Sequence, residues 1–266
     1  MGKWKIFLLA VFVSFGVALA VAGFVFCKKP NIFHPSSIPS ANELRRVIFQ
    51  TNGKITSAWL AHELHIRKGT DLFSLDISSM RERLETISQI RNVFIEKRYP
   101  DVLYIKINEC IPLLKLIANV GGEKKLLLVD TEDGRIFSPI CYGREDVLGL
   151  LPVNLILKTK NRSQFLSQAG MPTVKELIAT LKDEFPDISQ SVKFLDLRNY
   201  DHRLGAIWST IELHLKNGIV VGLKPQNFHL QLMKLDYLIN EKCQHNLHRI
   251  KKITISASDD AILEYK

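Results

Sequence analysis

Twenty-two consecutive uncharged residues, Ile6 to Cys27 (IFLLAVFVSFGVALAVAGFVFC), constrain this chain before anything else does. At about 1.5 Å per residue they make about 33 Å of helix, enough to cross a hydrocarbon core of about 30 Å. Lys3 and Lys5 precede the stretch and Lys28 and Lys29 come after it, so flanking charge does not orient it. A cleaved signal peptide is the rival reading, because Ala18-Leu19-Ala20 and Ala20-Val21-Ala22 both have the A-x-A form. The apolar run continues past Ala22 through Phe24, Val25 and Phe26, longer than a signal-peptide core, which favours an uncleaved anchor. Either reading exports residues 28–266.

Beyond the anchor the chain has the composition of a folded protein. Of 266 residues, 46% are apolar and 24% charged, enough to bury a core. The net charge of +9 suggests acidic partners or anionic lipid. Past residue 40 no basic run is interleaved with aromatics, and nucleic acid is not expected as a partner. Cys110, Cys141 and Cys243 are far apart and form no metal-ligand spacing; one pair among them is possible, but small buried hydrophobes are the simpler reading.

Residues 28–42 (KKPNIFHPSSIPSAN) have three prolines, three serines and no periodicity, the composition of an extended linker. The next seventy residues read as β-α-α-β-β. Arg45 to Gln50 suits a strand, and Thr56 or Ser57 can cap a helix carrying Trp59, Leu60 and Leu64. Gly69 ends that unit, and Leu72, Phe73 and Leu75 form an apolar connector in which Leu72 and Phe73 are expected to fill the space between helix and sheet. Ile77, Met80, Leu84 and Ile87 share one helical face. Two alternating strands come next, one with Val93, Ile95 and Tyr99 on a common face, the other with Leu103, Ile105 and Ile107. Pro112 is expected to keep the last of these from continuing as a central strand. Beyond it, strands are expected at 113–117, 125–130, 193–197, 208–215, 219–223, 250–255 and 261–265. Helices are expected at about 172–185 and 227–243, with a turn at 130–134 and a hairpin at Asn217-Gly218.

No catalytic constellation emerges. His62-Glu63-Leu64-His65 spaces its histidines three apart, where a zinc-protease helix needs four. The acids of 130–133 lack the alternating ligands and closing glutamate of a calcium loop. There is no nucleophile elbow, Walker loop or dinucleotide fingerprint. No cofactor and no metal site are expected.

Three segments in order resemble one family. Gly69-Thr70-Asp71-Leu72-Phe73-Ser74-Leu75-Asp76 is similar to a G-x-x-L-F-x-L-D connector. Ile90 to Pro100 (IRNVFIEKRYP) is similar to a V-x-x-A-x-V-x-R-x-x-P strand, and Ile105 to Pro112 (IKINECIP) to I-x-V-x-E-R-x-P, with Cys110 in place of the arginine. After a lone anchor they resemble the POTRA domain of the bacterial division proteins FtsQ (DivIB). More loosely, Asp130 to Phe137, Leu151-Pro152 and Trp208 to Leu223 resemble elements of that family's β domain.

The resemblance implies an α+β chain: a tail at 1–5, a transmembrane helix at 6–27, a linker at 28–42, a POTRA domain at 43–112 and a β-rich domain with flanking helices at 113–266. It implies a non-enzymatic divisome scaffold in the cytoplasmic membrane at the septum, single-pass, with the N-terminus cytoplasmic. Its partners would be an FtsB/FtsL-like coiled-coil pair, with other divisome components at the POTRA domain. Docking is expected by edge-strand addition at Ala257, Ser258, Ala261, Ile262, Leu263 and Tyr265, with one of Ile262 and Leu263 closing the core instead. From Ile253 to Ala257 the chain departs from the V-D-L-R-Y found in relatives. The alternative is an exported enzyme or envelope binding protein with a cleaved signal peptide.

Overall fold

The structure is a computed structural model that describes residues 43–67, 69–161, 164–203, 209–242, 247–255 and 261–266. The expected tail, span and linker (1–42) lie outside the described residues, as do Ala257, Ser258, Cys243 and Trp208. Among the described residues no helix is long and apolar enough to cross a membrane.

The first module is a three-stranded sheet of β1 (Arg46–Thr51), β2 (Ile90–Arg98) and β3 (Val102–Glu109) in the order β1-β3-β2, with β1 parallel to β3. Helices α1 (Ser57–Glu63) and α2 (Ile77–Glu85) lie between β1 and β2 in sequence. The Thr56 hydroxyl accepts the amide of Trp59 at 3.2 Å and starts α1. Asp76 starts α2 by accepting the amides of Ser78 and Ser79 at 2.9 and 3.1 Å. A further bond from the Ser79 hydroxyl heads the causes that hold the Asp76 carboxyl below its usual range. Leu60, Met80 and Leu84 pack against Val93, Ile95, Leu103, Ile105 and Ile107, as strand alternation and helix period require.

The connector departs from expectation in one residue. Leu72 is fully buried, but Phe73 is 54% exposed and stacks outside on Tyr99. Of the two, Leu72 takes the place in the core.

The second module is built on a nine-stranded sheet. β4 (Pro112–Val120) and β5 (Glu123–Asp130) form a hairpin through Gly121 and Gly122, both at positive φ, as a two-residue primed turn requires. Pro112 stands as the first residue of β4, a place where a strand tolerates a missing N–H. Next come β6 (Ile136–Phe137), α3 (Arg144–Leu148), β7 (Leu151–Asn154), and a small separate hairpin of β8 (Thr159–Asn161) and β9 (Gln164–Phe165). Helices α4 (Met171–Glu184) and α5 (Pro186–Ser191) lead into β10 (Val192–Asp196), β11 (Ile211–Leu215) and β12 (Val220–Leu223). Helix α6 (Phe228–Tyr237) continues as a π turn, Leu238–Lys242, before β13 (Ile250–Ile255) and β14 (Ala261–Tyr265). The order is β14-β13-β12-β11-β10-β7-β4-β5-β6. Val174, Leu177, Ile178 and Leu181 of α4 and Phe228, Leu232 and Leu235 of α6 pack on Leu114, Leu213, Val221 and Ile253 in one core.

Candidate partner-docking edge and domain junction

β14 ends the nine-stranded sheet, and among the described residues no strand pairs with its outer edge. It runs antiparallel to β13, with Ala261 opposite Ile255, Ile262 opposite Thr254, Leu263 opposite Ile253, Glu264 opposite Lys252 and Tyr265 opposite Ile250. That register sends Leu263 toward the helices, where it packs against the core. Ile262 goes to the open face and is 64% exposed; Tyr265, at the corner of the sheet, is 60% exposed. Ala261 is half-buried. Arg249, Lys266 and His248 line a shallow hollow with Tyr265, and the Lys266 ammonium donates to the His248 carbonyl at 3.1 Å. The edge thus offers unpaired backbone, two apolar side chains and a basic end.

A second built feature joins the modules. Glu109, the last residue of β3, is buried, and its carboxylate accepts four donors: the Thr51 hydroxyl, the amides of Lys54 and Ile55 at 3.0 Å each, and the Gln89 amide at 2.6 Å. Gly53 crosses directly over it, where any Cβ would run into the carboxylate. Gln89 in turn exchanges hydrogen bonds with the backbone of Ile140, accepting its amide at 2.6 Å and donating to its carbonyl at 3.2 Å. Asp130, at the end of β5, is fully buried. It accepts the amides of Ile111, Glu132 and Asp133 at 2.7, 2.9 and 3.2 Å and the Arg91 guanidinium at 2.5 Å. Burial pushes its pKa up, but the hydrogen bonds outweigh burial and hold the carboxyl below its usual range. Arg135 donates to the Ile90 carbonyl at 3.0 Å, and Lys54 pairs with Asp146 at 2.5 Å. Cys110 is packed with Leu128 and Phe137, and burial pushes its thiol up to about 11.

Among the described residues a polar cluster stands on the open face of the sheet. Ligand-type atoms of Asp196, Glu212 and His214 lie within 4.8 Å of one another, and His214 Nε2 is buried without a hydrogen-bond partner. Both carboxylates already have cations. Arg198 Nε and Nη2 donate to Asp196 at 3.0 and 2.6 Å, and the Lys252 ammonium donates to Glu212 at 2.8 Å. A metal ion would have to displace them, so the cluster reads as a charge network across β10, β11 and β13. Burial alone would raise the Asp196 carboxyl, but Arg198 lowers it overall. The histidines of the 62–65 segment do not converge on a metal either: His65 Nδ1 bonds the His62 carbonyl, and Glu63 pairs with Arg83.

Residues 42–109 match the family model described as "POTRA domain, FtsQ-type". This first module is thus similar to an FtsQ-type POTRA domain. It is also 26% identical over 104 residues to the cell division protein FtsQ of Rickettsia bellii (strain RML369-C). That alignment covers 39% of this chain and 37% of the relative, so the chain spans well under half of the relative's length. The family model over residues 42–109 and the relative over 104 residues each make part of this chain similar to FtsQ proteins, as the motifs do.

The junction is the end of this module at which the second module begins. Glu109 lies in the segment Ile105 to Pro112 singled out in the sequence, but nothing in that pattern joins it to Gln89 or joins Arg91 to Asp130. Their pairing spans up to 51 residues and depends on how two sheets abut. The open-face cluster is equally hidden, although Glu212 and His214 alternate with the apolar Ile211, Leu213 and Leu215, the pattern of a polar sheet face.

Proposed function

We propose that this chain is a membrane-anchored, non-enzymatic scaffold of cell division that receives a partner segment on the outer edge of β14. The observation that carries the reading is the free edge itself. A terminal strand of a nine-stranded sheet presents unpaired N–H and C=O groups, which an extended segment satisfies while its side chains meet Ile262 and Tyr265. The family adds the partner class, a coiled-coil pair of FtsB/FtsL type. The uncharged stretch at 6–27 adds the anchor, with the described modules outside the cytoplasm and the protein enriched at the septum. The division role rests on similarity to a protein named for division.

The test is co-purification. Ile262→Lys with Tyr265→Lys should abolish capture of the FtsB/FtsL-like pair while leaving the melting temperature of the chain unchanged, because neither side chain is in the core. Leu263 is left intact, since a lysine there would disturb packing and confuse the outcome. Undiminished capture by the double variant would refute the assignment of this edge.

A further inference from the structure

The α1–α2 connector and the β2–β3 turn meet at the end of the POTRA domain opposite the junction. Here Phe73 is 54% and Tyr99 57% exposed, and the rings stack with centroids 4.8 Å apart. The Lys97 ammonium donates to the Phe73 carbonyl at 2.9 Å and ties the two segments together. The pair is held in place, but it closes no core.

The chain comes into the domain at this same end. Glu43, the first described residue, bridges Asp71; the Leu44 amide donates to Thr70 at 2.8 Å and the Arg45 amide to Asp101 at 3.0 Å. β1 then runs parallel to β3 away from this end, toward Thr51 and the Glu109 hub. Between Cys27, where the uncharged stretch stops, and Glu43 lie the residues 28–42. Such a segment reaches about 50 Å at full extension and about 20 Å on average as a coil. If residues 6–27 span a bilayer, the aromatic pair is tethered within roughly a domain's length of its surface. Contact is then an intramolecular event that needs little affinity.

We propose that this end of the POTRA domain seats on the lipid bilayer, with Phe73 and Tyr99 at headgroup depth. The inference rests on reading 6–27 as a membrane span. Tyr99 is amphipathic and favours that depth, where its ring is dry and its phenol stays wet, and Phe73 adds an apolar ring stacked on it. Charge is not the main attraction. At this end Arg45, Arg46, Arg67, Lys97 and Arg98 stand against Glu43, Asp71, Glu96 and Asp101, five cations to four anions, with Arg98 paired to Glu96. Seating by the rings should therefore depend little on anionic lipid or on salt. It also sets the strands of β1 and β3 leading away from the membrane.

Full-length chain carrying Tyr99→Trp, reconstituted in phosphatidylcholine vesicles with lipid brominated near the headgroup, tests this. The expected result is that most of the emission added over wild type is quenched. A tryptophan at Ile117, exposed in the second module, should keep its emission. Persistence of the Tyr99→Trp quenching at about 1 M salt, where charges are screened beyond about 3 Å, supports seating by the rings. Loss of quenching in salt assigns the contact to charge and overturns the proposal. A chain that resists alkaline carbonate extraction, yet shows Tyr99→Trp as unquenched as Ile117→Trp, overturns the seating and leaves the span standing. Extraction of the wild-type chain by carbonate overturns the span and the seating together.

Discussion

Glu109→Gln tests whether the junction carries the stability its geometry assigns to it. The carboxylate meets the Thr51 hydroxyl and the Ile55 amide on one oxygen, and the Lys54 amide and the Gln89 side chain on the other. A glutamine replaces one of those acceptors with an N–H₂ group. Turned toward Thr51, the hydroxyl can reverse and accept, but the Ile55 amide is left facing a donor. Turned the other way, Lys54 and Gln89 both face donors, and Gln89 is pinned by Ile140 and does not flip. The better orientation thus strands one buried donor, at about 1–3 kcal/mol, and weakens the remaining bonds from charge-assisted to neutral. The expected loss is about 2–4 kcal/mol. Urea unfolding of residues 43–266, monitored by circular dichroism, reads it as a lower midpoint at unchanged slope. A loss under about 0.5 kcal/mol, the range of surface substitutions, would refute the hub as a buried, fully engaged acceptor.

Gly134→Ala should cost about 2 kcal/mol or more in chemical unfolding, because Gly134 has φ +68° and a Cβ would land on the Gln168 carbonyl oxygen and meet the Met171 side chain at 2.7 Å. Because the Asp130 carboxyl titrates below its unfolded value of about 3.9, its contribution is present above about pH 4 and is lost as pH falls through the lowered native value. Melting temperatures should therefore hold from about pH 7 to 5 and fall below about 4, less steeply in Asp130→Asn, whose stability is already reduced at neutral pH. At neutral pH Cys141 should react with a maleimide in the folded chain and Cys110 should not, because Cys141 is exposed whereas Cys110 is buried with its thiol pushed up to about 11.

Local pattern carries the POTRA domain far. Val93 and Ile95, then Leu103, Ile105 and Ile107, are buried on the face that alternation assigns, and Thr56 caps α1. Pattern does not decide between Leu72 and Phe73, because an irregular connector has no period. The helix expected at 172–185 is found almost to the residue, since α4 buries Val174, Leu177, Ile178 and Leu181 on a 3.6-residue repeat. The helix expected to run to 243 instead leaves α geometry after Tyr237 for a π turn. The short pieces α3, β7, β8 and β9 give no signal: they are too brief for a period, and β7 contains a proline. At the candidate docking edge, alternation requires Ile262 and Leu263 to face opposite ways. Only the pairing of Leu263 with Ile253 says which of them goes to the core.

β7 gives the protein a mechanical character. Among the described strands it is the one that joins the β4-β5-β6 part of the sheet to the part that ends in β14, by two parallel register pairs on each side: Leu114 with Leu151 and Lys115 with Pro152, then Leu195 with Val153 and Asp196 with Asn154. Tension applied between β14 and the first module, which is fastened at the β4–β5 end, would cross these pairs, with the α4 and α6 packing on Leu114, Leu213, Val221 and Ile253 sharing the load. Long antiparallel ladders share such a load over many bonds, whereas β7 has few. Under such tension this four-residue strand is the thinnest backbone link between the two parts of the sheet.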